Sequence, residues 1–163
     1  MANGTKISSA ISGPFILGPS DNPLTITSTG TITSTGTGVD GIDGDASTAW
    51  KITNKGTVSS AGGWGINLAG AGSLNNSGTI SGLRGGFLTG GAGKVTNKGT
   101  IGVGVGGVGR GVDLGAGGSV TNDAGAAIEV GVLIRGDAGK VTNAGMISGF
   151  YGVDLTNTRL LLL

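Results

Sequence analysis

The feature that most constrains this chain is a seven-residue unit, V-T-N-x-G-T-I, that returns along most of its 163 residues. Successive copies start 26, 22, 21, 25 and 21 residues apart. Periods of this length are typical of solenoid proteins, in which each repeat stacks on its neighbours and shares their core. Ser28 stands at the asparagine position of the first copy, and the fifth copy carries two extra residues. The copies are residues 26–32, 52–58, 74–80, 95–101, 120–128 and 141–147.

A second unit, G-[apolar]-x-[apolar], lies between these copies and is clearest at residues 65–68, 111–114 and 152–155. Looser versions occur at 86–89 and 131–134. Both units alternate apolar and other side chains with a period of two, which predicts strands with one buried face. Because no repeat carries the apolar period of an amphipathic helix, each repeat is expected to consist of three short strands and three turns.

Equivalent strands of successive repeats are expected to pair in parallel and in register. We therefore predict an all-β chain that forms a right-handed parallel β-helix (β-solenoid) of about six coils of roughly 21–25 residues, with the hand that parallel crossovers prefer. Residues 1–24 are predicted to form an N-terminal lead-in and cap, residues 25–157 the β-helix repeats, and residues 158–163 a short apolar tail.

An asparagine at the same position of five repeats predicts a structural ladder. Stacked side-chain amides donate to one another from coil to coil, and asparagine suits a sharp corner. A glycine two or three residues later indicates a backbone position with positive φ or with no room for a Cβ atom. The predicted ladder residues are Asn54, Asn76, Asn97, Asn122 and Asn143.

Composition supports a narrow aliphatic core and argues against most enzyme chemistry. Glycine supplies 38 residues and aromatic side chains only 4% of the chain, while cysteine and histidine are absent. Disulfides, zinc–thiolate sites and the commonest general base are therefore excluded. Ten basic and nine acidic residues are scattered singly along the sequence, so we expect no nucleic-acid partner, no membrane insertion by this segment, no cofactor and no enzyme activity.

The alternation of V-T-N-x-G-T-I and G-V-x-L units, over about residues 25–157, resembles the passenger repeats of bacterial autotransporters and related large surface adhesins. The resemblance implies a structural or adhesive surface module without catalysis of its own, in an extracellular or bacterial outer-surface location. It also implies a host-surface or glycan partner. Residues 1–11 contain no apolar run of a signal peptide, so we expect either that the leader of such a protein has been removed or that export uses another route.

Two alternatives remain for the function. One is a self-assembling β-solenoid fibre subunit, and the other is a polysaccharide-acting enzyme or carbohydrate-binding module, since parallel β-helices also carry such enzymes. Asp113 and Asp154 occupy the same outward slot two coils apart, about 9.6 Å at the usual strand spacing, near the upper limit for inverting glycosidases. No arginine is fixed beside them by the pattern, so we interpret them as solubilising.

Other candidates have plainer interpretations. Asp40, Asp43 and Asp45 lie in a glycine-rich stretch and are candidate calcium ligands, but they match no known calcium-loop spacing, so a polar turn is the preferred interpretation, with no metal. Trp50, Trp64 and Tyr151 are candidates for stacking on sugars, with cap or loop packing preferred. Alternating threonines at residues 25–37 suit strands and, as an alternative, an ice-ordering face.

The ends of the predicted solenoid differ. Pro14, Pro19 and Pro23 bracket an apolar N-terminal stretch and cannot donate ladder hydrogen bonds, so they are expected to protect that edge. The C-terminal coil has no comparable cap, because Leu155 is followed by a few polar residues and four leucines. We therefore predict self-association through the C-terminal coil, either tail to tail as a dimer or through the leucine tail on an apolar surface of the partner.

Overall fold

The computed structural model describes residues 4–104, 106–150 and 152–157. These residues form an all-β solenoid of three parallel sheets, with seven strands in each sheet. A 3-10 helix at Pro19–Asp21 lies in the connection between the first and second coils. The predicted β-solenoid is therefore confirmed.

Sheet A contains the strands that carry the V-T-N part of each repeat. Sheet B contains the short strands that follow the corner, and sheet C the strands of the G-V-x-L unit. Sheet A comprises β1 (Thr5–Ile7), β4 (Leu24–Ile26), β7 (Trp50–Asn54), β10 (Gly72–Asn76), β13 (Gly93–Asn97), β16 (Gly118–Asn122) and β19 (Gly139–Asn143). Sheet B comprises β2 (Ala10–Ser12), β5 (Thr31–Ser34), β8 (Thr57–Ser60), β11 (Thr79–Gly82), β14 (Thr100–Val103), β17 (Ala127–Ile128) and β20 (Met146–Ile147). Sheet C comprises β3 (Phe15–Ile16), β6 (Ile42–Gly44), β9 (Trp64–Leu68), β12 (Gly85–Thr89), β15 (Arg110–Leu114), β18 (Val132–Gly136) and β21 (Val153–Asn157).

The solenoid has seven coils, one more than the repeat count predicts. The additional coil is the first one, because β1, β2 and β3 pair in parallel with β4, β5 and β6. Residues 5–16 lie within the segment predicted as a lead-in and carry no V-T-N-x-G-T-I unit. They join the sheets because alternation of apolar and polar side chains is enough for parallel pairing with the next coil.

The register of the second coil differs from the sequence alignment. Leu24 pairs with Ile52 and Ile26 pairs with Asn54, so Ile26 takes the ladder position and Ser28 lies in a turn. The turn after Ile26 is two residues longer than the corresponding turn of the next coil, since the following strands again pair in register. The sequence conceals this insertion because both alignments place aliphatic residues at the inward positions.

The core is a stack of aliphatic columns between the three sheets. Each coil contributes one or two residues per strand, and from the second to the sixth coil these side chains are almost completely buried. Phe87 and Trp50 are the largest of the fully buried side chains. The sheet A column is Leu24, Ile52, Leu74, Val95, Val120 and Val141; the sheet B column is Ile11, Ile32, Val58, Ile80, Ile101, Ile128 and Ile147.

Candidate functional site

The predicted asparagine ladder is present at the corner between sheets A and B. In the first four members the Nδ2 group donates to the Oδ1 atom of the asparagine one coil further on, over 2.8 to 2.9 Å, and the Asn143 amide donates to the Gly145 carbonyl. The same amides also donate to backbone carbonyls of the turn, such as Asn97 to Gly99 and Ala127. Four members are buried, whereas Asn143 in the last coil is exposed. The side-chain amides therefore have hydrogen-bond partners within the fold, and the ladder stabilises the corner between sheets A and B.

The three aspartates proposed as calcium ligands act separately. Asp40 accepts hydrogen bonds from the Trp64 backbone at 2.6 Å and from the Asn67 amide at 2.8 Å. Asp45 accepts from the backbone and hydroxyl of Ser47. Within the described residues, no three acidic, histidine or cysteine side chains are grouped as a metal site requires. Asp40 and Asp45 therefore order the turns that flank β6.

Asp43 lies on the outer side of β6 between these two turns. Partial burial raises the pKa of its carboxyl group above the ordinary value of 3.8, and the charges of Asp40 and then Asp45 raise it further. A hydrogen bond from the Gly44 backbone acts in the opposite direction. The ionised form of Asp43 is thus disfavoured in the folded chain.

Asp113 and Asp154 share one outward column of sheet C, separated by Leu133, as the repeat predicts. Each of these two aspartates lies beside an arginine, and the repeat pattern does not predict this pairing. Arg135 binds both carboxylate oxygens of Asp113 at 2.8 Å, and Arg110 lies 3.7 Å from Asp154. Asp113 is buried rather than solvent-facing. Arg135 lies one coil after Asp113, and Arg110 lies two coils before Asp154, so both pairs link different coils of sheet C.

The aromatic and threonine candidates are dispersed. Trp50 is buried in the core and its indole NH donates to the Asp45 carbonyl, as expected for packing. Trp64 is half-buried at the start of β9, and Tyr151 lies outside the described residues. The threonines of residues 25–37 divide between sheet A, sheet B and the turns, and therefore form no single face.

The lysines of the protein lie together on the outer face of sheet A, a clustering that the sequence pattern was not used to predict. All six are exposed and lie on β1, β7, β13 and β19 or in the turns that directly follow β7 and β13. Between them runs a column of threonines and one asparagine. The repeated K-[IV]-T-N-K-G motif at residues 51–56 and 94–99 was the available signal. The lysines are Lys6, Lys51, Lys55, Lys94, Lys98 and Lys140.

Two shallow grooves cross this face, one along each side of the threonine column. The first has a volume of about 320 Å³ and lies between Lys51 and Lys94, with Ser73 midway and alanines and glycines among its other lining residues. The second has a volume of about 260 Å³ and lies between Lys55 and Lys98. Both grooves therefore place two ammonium groups on either side of hydroxyl groups.

Comparison with protein families, with curated proteins and with solved structures finds no match for this chain. The described part of the chain has no helix with the length and apolar character needed to cross a membrane. What its sequence and geometry provide is a ladder-stabilised rod with a basic, hydroxyl-lined face.

The last coil is more open than the others. Val141 and Ile147 are only partly buried, although their equivalents in the second to sixth coils are almost fully buried. Val153 and Leu155 expose 44% and 51% of their surface, and in the described residues no strand pairs with the outer edge of this coil. The tail at residues 158–163 lies outside the described residues. Coil 7 therefore presents apolar side chains and unpaired backbone groups together.

Proposed function

We propose that this chain is a structural and adhesive module of a bacterial surface protein, a passenger-type β-solenoid scaffold with no catalysis of its own. The observation that carries the proposal is the outer face of sheet A, where six lysines, threonines and two grooves lie on one side of the rod. Such a face suits binding to an extended surface more than turnover of a small molecule in an enclosed pocket.

The construction of the rod supports the same proposal. Parallel pairing in three sheets and the buried asparagine ladder tie each coil to the next. The carboxylates considered for catalysis instead form ion pairs between coils. The resemblance of the repeat pattern to autotransporter passengers supports the proposal of a location outside the cell, attached to its surface.

Adhesion can be tested with beads that carry the purified chain. One set of beads carries the folded chain, and a second set carries an equal density of the chain unfolded in urea. The beads with the folded chain are expected to be retained under flow on an epithelial cell layer several-fold better. The unfolded coating is the matched control because it has the same composition and net charge. Equal retention of the two coatings would contradict an adhesive role for the fold.

A second candidate function is a self-assembling fibre subunit, and the open last coil favours it. Exposed edges of parallel sheets pair readily with other strands, and apolar side chains at the same end add burial. A second copy of this chain has three strands per coil at the same spacing, so its strands could pair with those of coil 7. Under this proposal, coil 7 is the surface through which copies associate.

A further inference from the structure

Three of the exposed lysines form a regular line along the axis of the rod. Lys51, Lys94 and Lys140 share one column of sheet A, in which Ser73 and Ser119 occupy the intervening coils. We call these five residues the lysine row. Successive lysines are two coils apart, about 9.6 Å, and the row spans about 19 Å at the usual strand spacing.

The ammonium groups of the lysine row are available to a partner. Among residues 4–104, 106–150 and 152–157, none of its lysines lies within 4.0 Å of a carboxylate. The parallel line through Lys55 and Lys98 continues into Asp123, whose carboxylate lies 3.8 Å from the Lys98 ammonium group. Positive charge is thus uninterrupted along the lysine row and partly neutralised along the other line.

We propose that the lysine row binds an extended anionic polysaccharide that carries one carboxylate on every second sugar. This inference rests on the adhesive function proposed above and names its partner. Two linked pyranose rings span a distance similar to that between successive lysines, so each carboxylate meets one ammonium group. The Ser73 and Ser119 hydroxyl groups lie at the positions of the intervening uncharged sugars.

The chemistry of the row favours a polysaccharide over a nucleic acid. Duplex DNA carries one charge per about 1.7 Å of its axis, a far denser charge than one lysine in every two coils can match. Single strands are bound by exposed aromatic side chains on which bases stack. The aromatic residue beside the row, Trp50, is buried beneath the sheet, whereas hydroxyl groups and a shallow groove suit hydroxyl-rich sugars.

The test is binding of hyaluronan oligosaccharides long enough to span the row, measured by calorimetry with the full chain. Replacement of Lys51, Lys94 and Lys140 by glutamine is expected to weaken binding about tenfold or more, since three exposed ion pairs are lost. The matched control replaces Lys6, Lys55 and Lys98 by glutamine, which removes the same charge from the same face, and is expected to weaken binding less than about threefold. Arginine at the three row positions is expected to retain binding.

Several outcomes would overturn the proposal. These are an equal loss in the two triple variants, no loss in either, equal affinity for neutral dextran, or tighter binding of duplex DNA at the same ionic strength. All the substituted side chains are exposed, and an unchanged melting temperature verifies the fold. If the beads adhere to cells while hyaluronan does not bind, the adhesive function stands and only the named partner is wrong.

Discussion

At the scale of single residues, asparagine suits the corner because one side chain offers both a donor and an acceptor. Asn97 accepts from Asn76 on one side and donates to Asn122 on the other, each over 2.8 Å. Gly78, in the turn after Asn76, lies outside the left-handed backbone region, but a Cβ atom there would press against the Gly56 carbonyl oxygen of the previous coil. Close stacking of the coils, not left-handed backbone, therefore requires this glycine.

Replacement of Asn97 by alanine is expected to lower the free energy of unfolding by about 1–3 kcal/mol, because buried amide and carbonyl groups lose their partners. Urea denaturation followed by circular dichroism measures the change. Asn143→Ala is the control, since Asn143 is exposed at the end of the same ladder, and it is expected to cost less than about 1 kcal/mol. Equal losses in both variants would show that the buried ladder contributes nothing specific.

At the scale of elements, β6 carries an electrostatic cost. Its Asp43 side chain lies between turns that are ordered by Asp40 and Asp45, and burial together with these two charges raises its pKa. A raised pKa in the folded state means that protonation of Asp43 favours folding. This contribution is complete below the unfolded value of 3.8 and is lost as the pH rises through the folded pKa.

Asp43→Asn is therefore expected to raise the Tm at pH 7, and the difference from the unmodified chain should shrink as the pH falls below about 4. The gain should remain below about 1 kcal/mol, because the carboxyl group is partly exposed to solvent. Thermal melts across this pH range measure the difference. Asp137→Asn removes the same charge from an exposed turn and is the control. A difference that grows towards acid pH would reverse the assigned sign.

At the scale of the whole molecule, the basic groups of sheet A are lysines, whereas sheet C carries both aspartates and the arginines that pair with two of them. The lysines lie on sheet A, while Asp43, Asp113 and Asp154 lie on the outer side of sheet C. The two ends also differ. Ile7 and Leu17 in the first coil are nearly buried, whereas the corresponding end of coil 7 exposes Leu155. The molecule therefore has distinct faces and distinct ends.

Self-association through coil 7 predicts an oligomer of the full chain at micromolar concentration in light scattering. Leu155→Lys is expected to shift this oligomer to monomer, because the charge would have to be buried between copies. Val108→Lys is the control, since Val108 is 90% exposed on a loop far from coil 7 in the sequence. A monomeric full chain at high micromolar concentration would rule out association, and electron microscopy distinguishes fibres from dimers.

The fold class and the asparagine ladder could be predicted from the repeat alone. An alternation of apolar and polar side chains with a period of two predicts strands that bury one face. Because the repeats contain no helix to cover that face, the strands of successive repeats must stack in parallel around a shared core. The five asparagines could be assigned to one corner because a column in a solenoid is simply a position in the repeat. The inward aliphatic columns followed for the same reason from residue 52 onward, because the spacing within a copy changes there only by the two extra residues of the fifth copy.

Features that depend on how coils of unequal length pair with one another could not be predicted from the sequence. The first coil and the position of Ile26 became visible only in the strand register, because a two-residue insertion leaves the local apolar pattern intact. The bonds of Asp113 to Arg135 join side chains from different strands of sheet C. The lysine row likewise arises because lysines that are far apart in the sequence share one column of sheet A. Since successive coils stack at about 4.8 Å, these lysines lie in a basic line along the rod.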